Sequence, residues 1–317
     1  MPLRFTLRQL EYFVAVGDAG SIALASEMVK VSSPSISAAI GQLESEFGLQ
    51  LFVRKHAQGL ALTQAGRQFM NQAKDVLKQA DALNLLASDI SGNVRGPLAI
   101  GCLLTFAHLI VPQLRRKFET RYPDVRVRQF ELHQQDIFDR IRNGSIDIAL
   151  TYDLEIPQYL DFVPLVELPP YAMVAENHPL AGLSSISVNE LEDHPMVLLD
   201  LPFSSDYFLS FFRKAGIKPN IAERTRDMAV MRSLVGNGFG YAIANIRPLN
   251  DLSPDGKQLR FIPLDGGLRP MTMGLAMAEG ADNVLTVSAF IDHCRELITE
   301  DAVPGINMHK AGAARLG

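Results

Sequence analysis

The chain has 317 residues, 47% of them hydrophobic, a formal net charge of −5 and two cysteines. That length supports a sizeable core and two domains rather than one, and the negative balance excludes a generally basic nucleic-acid coat while leaving room for a local basic site. Cys102 and Cys294 lie far apart without metal-ligand spacing, Glu11 follows closely on the start, and no run approaches the about 20 apolar residues of a membrane span, so a soluble, cytoplasmic protein with reduced thiols, no metal and no membrane partner is expected.

Leu7, Leu10, Phe13, Val14 and Gly17 recur at helical spacing, which predicts an amphipathic helix from Thr6 to about Asp18. Ser21 is placed to cap a second helix that turns Ile22, Ala25, Met28 and Val29 inward. A third helix opens on Ser33-Pro34, where Pro at a first helical position sacrifices no hydrogen bond and the Ser33 hydroxyl is a candidate cap. Its core face is Ile36, Ile40, Leu43 and Phe47, which leaves Ser35, Ser37, Ala38 and Gln42 on a lightly furnished outer face. Apolar runs at 51–54 and 60–62 flank a polar tip at 55–59 and predict a small hairpin. Three helices and a hairpin suit a winged helix-turn-helix, although a helical packing unit without any ligand has the same periodicity. Charge does not separate the two: Arg4, Arg8, Lys30, Arg54 and Lys55 are balanced by Glu11, Asp18, Glu27, Glu44 and Glu46.

From Thr63, a candidate cap, the chain is free of Pro and Gly between Arg67 and Ser91. Phe69, Ala73, Val76, Ala80, Leu83, Ala87 and Ile90 advance by four and three, a heptad seam about 33 Å long. The strict period favours a partner helix, hence a homodimer carrying two recognition helices for two half-sites. A helix lying on its own globule has a similar pattern.

Gly92-Asn93 ends this helix and Arg95-Gly96-Pro97 forms a hinge. Beyond it, strands at 98–101, 125–131 and 146–151 alternate with helices at about 105–121 and 135–142, an order that indicates a mostly parallel sheet. A second block starts near Pro164, with strands at 171–175 and 196–199, a helix at 205–215, a short strand around Ile221, a helix at 227–235 and a strand at 239–244. A strand at 271–278 and a helix at 284–298 come last, and the small-residue tail from Ala302 reads as loose. Two α/β lobes joined by crossing segments enclose a cleft.

The run 7–69 resembles the DNA-binding domain of LysR-type transcriptional regulators across its whole length. The matching positions include Leu7-Arg8-Gln9-Leu10 with Phe13, Gly20-Ser21, Ala25, Val31-Ser32, Pro34, Ile36-Ser37, Ile40, Leu43-Glu44, Gly48, Leu51-Phe52 with Arg54, Leu62-Thr63 and Ala65-Gly66. Weaker signatures, Pro179-Leu180 after His178 and Gly236/Gly238/Gly240 before an apolar strand, extend the resemblance to that family's effector-binding domain, similar in fold to periplasmic solute-binding proteins. The resemblance implies a winged helix-turn-helix domain at 1–62, a linker and dimerisation helix at 63–92, and a bilobed α/β effector-binding domain at 93–300. Its first lobe would be about 96–163 with 267–300, and its second about 164–266. It further implies a homo-oligomer, dimer or tetramer, that binds promoter DNA and a small-molecule effector and meets RNA polymerase when activating. No cofactor and no catalytic residue are expected. The rival is a solute-binding or enzymatic α/β protein with a helical appendage, for which no G-x-S-x-G, H-E-x-x-H or P-loop is found.

Carried onto this chain, the resemblance makes Lys30, Ser33, Pro34, Ser35, Ser37, Ala38 and Gln42 candidate DNA contacts, with Arg54 and Lys55 on the wing. The sequence departs from the family pattern at Ser33, where Gln is frequent, and at Ala38, Ala39 and Gly41, where basic or amide residues are frequent. Groove shape and fit then carry more of the expected specificity than direct base reading. In the cleft, strand ends and helix starts bring forward Thr105, Phe106, Thr151, Tyr152, Phe203, Ser204, Ser205, Tyr207 and Asn245 as candidate effector contacts. Hydroxyls and helix N-termini suit a carboxylate and the rings suit an aromatic body, so a small organic anion is the expected effector. Each residue taken alone also reads as a cap or a sheet-end contact. Gly236-Asn237-Gly238-Phe239-Gly240 follows a helix and precedes a strand, the reverse of a dinucleotide fingerprint, and reads as a helix stop with a tight turn. His293-Cys294 reads as packing, with redox sensing by Cys102 and Cys294 as the alternative.

Overall fold

The computed structural model describes residues 4–55, 59–91 and 93–299. The side chains at 54, 55, 59, 78, 81, 82 and 84–91 and the tail from 301, expected to be loose, lie outside that description. The chain divides into two compact units, 1–91 and 92–317.

The first unit begins with α1 (Leu7–Ala19), α2 (Ile22–Val29) and α3 (Ser33–Phe47), followed by the antiparallel hairpin β1 (Phe52–Lys55) and β2 (Gly59–Leu62) and by α4 (Gln64–Ser91). Thr6 caps α1 reciprocally: its Oγ1 accepts from the Gln9 N–H at 3.2 Å and its own N–H donates to Gln9 Oε1 at 2.8 Å. Ser21 sits at the start of α2 without a side-chain capping bond. The cap of α3 is Ser32, one residue earlier than expected from the sequence; Ser33 and Pro34 are the first two helical residues. Lys55 and Gly59 belong to the strands rather than to the hairpin tip. Leu10, Phe13, Val16, Ala25, Ile36, Ile40, Leu43, Leu51 and Phe52 build one core with Met70 and Ala73 of α4, and the Phe13 ring lies 5.3 Å from both Phe52 and Phe69. Leu7 and Met28, expected inside, are exposed.

That core also corrects the heptad reading. Phe69 and Ala73, the first two seam positions, pack into the unit's own core instead of awaiting a partner helix. Val76 and Leu83 further along are exposed, Ala80 is half-buried, and Ala87 and Ile90 lie outside the described side chains. Thr63 does cap α4, its Oγ1 accepting from the Gly66 N–H at 2.8 Å.

The second unit runs β3 (Gly96–Leu103), α5 (Leu104–Ala107), α6 (Val111–Arg121), β4 (Val125–Leu132), α7 (Gln134–Arg142), β5 (Ile148–Tyr152) and β6 (Leu160–Leu168), then β7 (Tyr171–Ala175), β8 (Pro195–Leu199), α8 (Ser204–Ala215), β9 (Asn220–Thr225), α9 (Met228–Gly236), β10 (Ala242–Ala244), β11 (Leu259–Pro263), β12 (Met271–Ala278) and α10 (Leu285–Leu297). The expected helix at 105–121 is two helices, α5 and α6.

A five-stranded sheet has the order β4-β3-β5-β12-β6. Only β4-β3 and β3-β5 are parallel; β12 runs antiparallel to both neighbours, so the sheet is mixed rather than mostly parallel. The strand β6 pairs with β12 from Leu160 to Leu168, which moves the first lobe past Pro164 and starts the second at β7. In that second lobe β10-β7-β11 form an antiparallel sheet, β8 pairs parallel with β9, and a bridge from Met196 to Tyr241 joins the two groups. Two crossings link the lobes, one after Leu168 and one before Met271. Tyr171 anchors the first by donating its hydroxyl to the Ile246 carbonyl at 2.6 Å. A single buried cluster runs through both lobes. No described helix is long and apolar enough to cross a membrane.

Candidate functional site

In the first unit α3 is held by one face only. Ile36, Ala39, Ile40 and Leu43 are buried, while Pro34, Ser35, Ser37, Ala38, Gly41 and Gln42 are exposed and Ser33 is half-buried. Ala39 therefore belongs to the core, and its small size has no bearing on an outer surface. Lys30 occupies the turn before α3 in the left-handed region, at φ 55°. The Ser35 hydroxyl shares a hydrogen bond with that of Ser32 at 2.8 Å. The wing residues Arg54 and Lys55 have their backbone in β1 and their side chains outside the description.

Two residues that sequence reasoning missed organise this surface. Gln9 Nε2 donates to Gln42 Oε1 at 2.7 Å, and because Gln9 Oε1 is already occupied by the Thr6 N–H, the orientation of both amides is set. Gln42 is left with its Nε2 donors outward, the group that meets an acceptor on a base edge. Glu44 Oε1 accepts from the backbone N–H of Leu51 at 2.8 Å and of Phe52 at 3.2 Å, tying the last turns of α3 to the first wing strand. Replacing Glu44 by Ala leaves both donors without that carboxylate and should cost about 1.5–3 kcal/mol in denaturant unfolding of the first unit. A loss under about 0.5 kcal/mol would mean that water replaces the carboxylate freely.

In the second unit a cleft opens between the lobes. Its narrow interior measures about 40 Å³, room for a few waters, inside an open recess of about 550 Å³. Of the nine candidate contacts, Thr105, Tyr152, Ser204 and Asn245 line it. The other five do not. Phe106 and Thr151 are buried, with the Phe106 ring tilted against that of Tyr152 at 4.7 Å. Ser205 bonds the Leu201 carbonyl at 3.1 Å, and Tyr207 donates to the Arg269 carbonyl at 2.6 Å. Phe203, at φ 66°, borders with Tyr207 a separate recess that also includes Arg213, Lys214 and Arg269. His133, Gln134, Phe208, Met228 and Met271 are among the other residues of the cleft wall and were not foreseen. Gln134 opens a helix after a strand, as Ser204 does, so the same positional rule reaches it.

Among the described residues no Lys, Arg, Asp or Glu lines the cleft, and His133 is its one titratable cationic side chain. At the start of α8 the Ser204 and Ser205 N–H groups are already used by the Pro202 and Leu201 carbonyls, and Asp227 Oδ1 occupies the N–H groups of Ala229 and Val230 at the start of α9. Burial holds the Tyr152 hydroxyl protonated well beyond neutral pH. Among the described residues no cluster of three or more metal-binding side chains occurs. Burial pushes the Cys102 thiol up to about 12 and raises Cys294 too, so neither is a ready thiolate and the redox alternative has no support. His293 is buried with Nε2 3.0 Å from the Leu114 carbonyl, a packing role.

Residues 7–67 match the family model described as bacterial regulatory helix-turn-helix protein, lysR family, and residues 91–299 match the LysR substrate binding domain. The HTH-type transcriptional regulator CysB of Haemophilus influenzae is 29% identical over 244 residues, 75% of this chain and 74% of that protein. YvbU of Bacillus subtilis, also named an HTH-type transcriptional regulator, is 26% identical over 92% of this chain and 98% of its own length. The crystal structure of HinK, a LysR family transcriptional regulator from Pseudomonas aeruginosa, is 33% identical with a TM-score of 0.63, covering 93% of this chain and 99% of that one. With both modules matched in order, and an exposed recognition-helix face in one unit and a lined cleft in the other, the chain belongs to the LysR family of DNA-binding transcriptional regulators.

Proposed function

We propose that this regulator binds promoter DNA as a homodimer, or a pair of dimers, and that a small organic molecule in the interlobe cleft changes the arrangement of its DNA-binding units. The observation that carries the DNA half is the division of α3, with four residues buried in the core and a continuous outer face of Pro34, Ser35, Ser37, Ala38 and Gln42 left exposed. A helix furnished in this way approaches the major-groove floor closely. Its serines and Ala38 meet phosphates and thymine methyls, and the outward Gln42 donors meet an acceptor base edge. Lys30 in the preceding turn and Arg54 and Lys55 on the wing hold flanking phosphates.

For the effector half, the wall formed by Leu199, Phe208, Met228 and Met271 favours an apolar or aromatic body. A cavity with space for only a few waters admits a ring when the lobes part or the methionines change rotamer, which their unbranched side chains allow. The ligand then acts by binding one lobe arrangement better than another. RNA polymerase is the partner through which activation would be read out.

Binding of a duplex carrying the protein's own upstream region should weaken by about 1000-fold or more between 50 and 200 mM salt if six or more phosphates are neutralised. Arg54→Ala should weaken it further and lower the salt slope by about one. Both are measured by fluorescence anisotropy titration. Salt-insensitive binding removes the phosphate contacts, and an unchanged slope removes Arg54 from them.

A further inference from the structure

Two amide side chains, one from each lobe, line the cleft with their orientation already decided. At the end of β10, Asn245 Nδ2 donates to the Leu168 carbonyl at 2.7 Å and to the Tyr207 hydroxyl at 3.0 Å. A peptide carbonyl only accepts, and the Tyr207 proton is committed to the Arg269 carbonyl, so the atom facing both partners is the amide NH2. Asn245 Oδ1 remains, in a residue only 3% exposed, and it has no hydrogen-bond partner. At the start of α7, Gln134 Nε2 donates to the Leu154 carbonyl at 2.5 Å and to the Tyr152 carbonyl at 3.4 Å, which leaves Oε1 as its remaining polar atom, in a residue 4% exposed. Thr105, 7% exposed, faces the Tyr152 hydroxyl without a well-aligned bond, so its Oγ1 is also unpartnered.

These three residues fit one ligand chemistry better than the alternatives. A carboxylate or phosphate offers lone pairs alone, which repel Asn245 Oδ1 and Gln134 Oε1; among the described residues no Lys or Arg lines the cleft, and the half-buried His133 at its wall is the one side chain there that could offset such a charge. An ammonium or guanidinium group would suit the acceptors, yet no Asp or Glu lines the cleft to pair with a charge buried among Leu, Phe and Met side chains. A neutral N–H or O–H donor satisfies the orphaned acceptors without leaving an unpaired charge. We infer that the cleft takes an uncharged, mainly apolar small molecule whose polar edge carries N–H or O–H donors, as in an aryl amide, a phenol or an indole, with Asn245 Oδ1 as its fixed acceptor and Gln134 and Thr105 beside it. This ligand class rests on the reading of the cleft as the effector site, and it replaces the organic anion.

The test compares three probes sharing one ring, benzamide, benzoate and benzylammonium, by ligand-observed NMR titration on the full-length protein and on Thr105→Val. Benzamide should bind saturably and at least tenfold more tightly than either ion. Thr105→Val should weaken benzamide about fivefold to tenfold, the effect of one hydrogen bond, while its melting temperature stays equal or rises because an unpaired hydroxyl has been removed. That pair of readings separates ligand contact from a structural role, which would move the melting temperature downward. If benzoate or benzylammonium binds most tightly and Thr105→Val weakens it, the uncharged-donor class is overturned and the cleft remains the site. If no probe binds, or all bind without regard to Thr105→Val, both the class and the cleft reading fall.

Discussion

Gly66→Ala should unfold the DNA-binding unit at temperatures where the ligand-binding unit is still intact. A Cβ at position 66 would stand 2.1 Å from the Leu51 carbonyl oxygen and 3.0 Å from its carbon, closer than real contacts come. Neither side can retreat. Leu51 O accepts from the Thr63 N–H at 3.0 Å, the Leu51 N–H is held by Glu44, and the Leu51 side chain is fully buried. Gly66 itself is fixed at the first turn of α4 by its bond to Thr63. Crowding of this kind against backbone costs about 3 kcal/mol, equivalent to about 12 °C or more in the melting of a unit of this size. Differential scanning calorimetry should show the transition of the 1–91 unit moving down by that amount, with the other transition unchanged and duplex binding lost at the lowered temperature. Gly41→Ala is the contrasting variant: nothing lies within 4 Å of its added Cβ, so an exposed helix should gain about 0.5–1 kcal/mol. A shift under about 2 °C for Gly66→Ala would mean that α4 slides to accept the methyl.

The contrast between those two glycines marks what a sequence conveys. Both stand in helical segments, and only the three-dimensional approach of α4 to Leu51 tells them apart. The faces of α1 and α3 were legible because Leu10, Phe13, Ile36, Ile40 and Leu43 repeat with the helical period, which is a local signal. The cap of α3 was misplaced by one residue because Ser32 and Ser33 carry the same hydroxyl and Pro34 is tolerated at either of the first two positions. The strand β6 is hard to read from sequence because Asp161, Pro164 and Glu167 interrupt its apolar pattern; among the described residues it is an edge strand paired with β12 alone, where Pro and charge are permitted.

The cleft was half legible for a related reason. Strand ends and helix starts bring forward Thr105, Tyr152, Ser204 and Asn245, which line the cleft, since that rule needs only element order. Which of their atoms are free depends on partners far along the chain, Leu168 for Asn245 and Leu154 for Gln134. An inventory of hydroxyls and helix starts therefore suggests an anion, whereas the uncharged-donor class proposed above is argued from the fixed amides.

If the proposed dimer pairs through α4, Leu83→Asp should convert it to a monomer and lower its affinity for a two-half-site duplex by about 100-fold or more. The helix α4 has 28 residues, about 42 Å of length. Its first heptad positions are absorbed into the unit's own core, so Phe69 and Ala73 report nothing about a partner. Pairing is favoured instead by the next part of the helix, where Val76 is 42% and Leu83 68% exposed, two large apolar side chains seven residues apart on one stripe. A second copy of the same stripe would cover both, and Asp at 83 would bring two carboxylates together in that seam. Loss of the dimer separates two linked half-site contacts into independent ones, a penalty of about 100-fold to 10,000-fold in apparent affinity. Because Leu83 is exposed within the chain, the unfolding free energy of the isolated first unit should change by no more than about 0.5 kcal/mol, which distinguishes lost pairing from lost folding. Sedimentation equilibrium at micromolar concentration reads the assembly directly. A dimer that survives Leu83→Asp would place the main contact elsewhere, because a buried pair of facing carboxylates at this position is incompatible with a packed α4 seam.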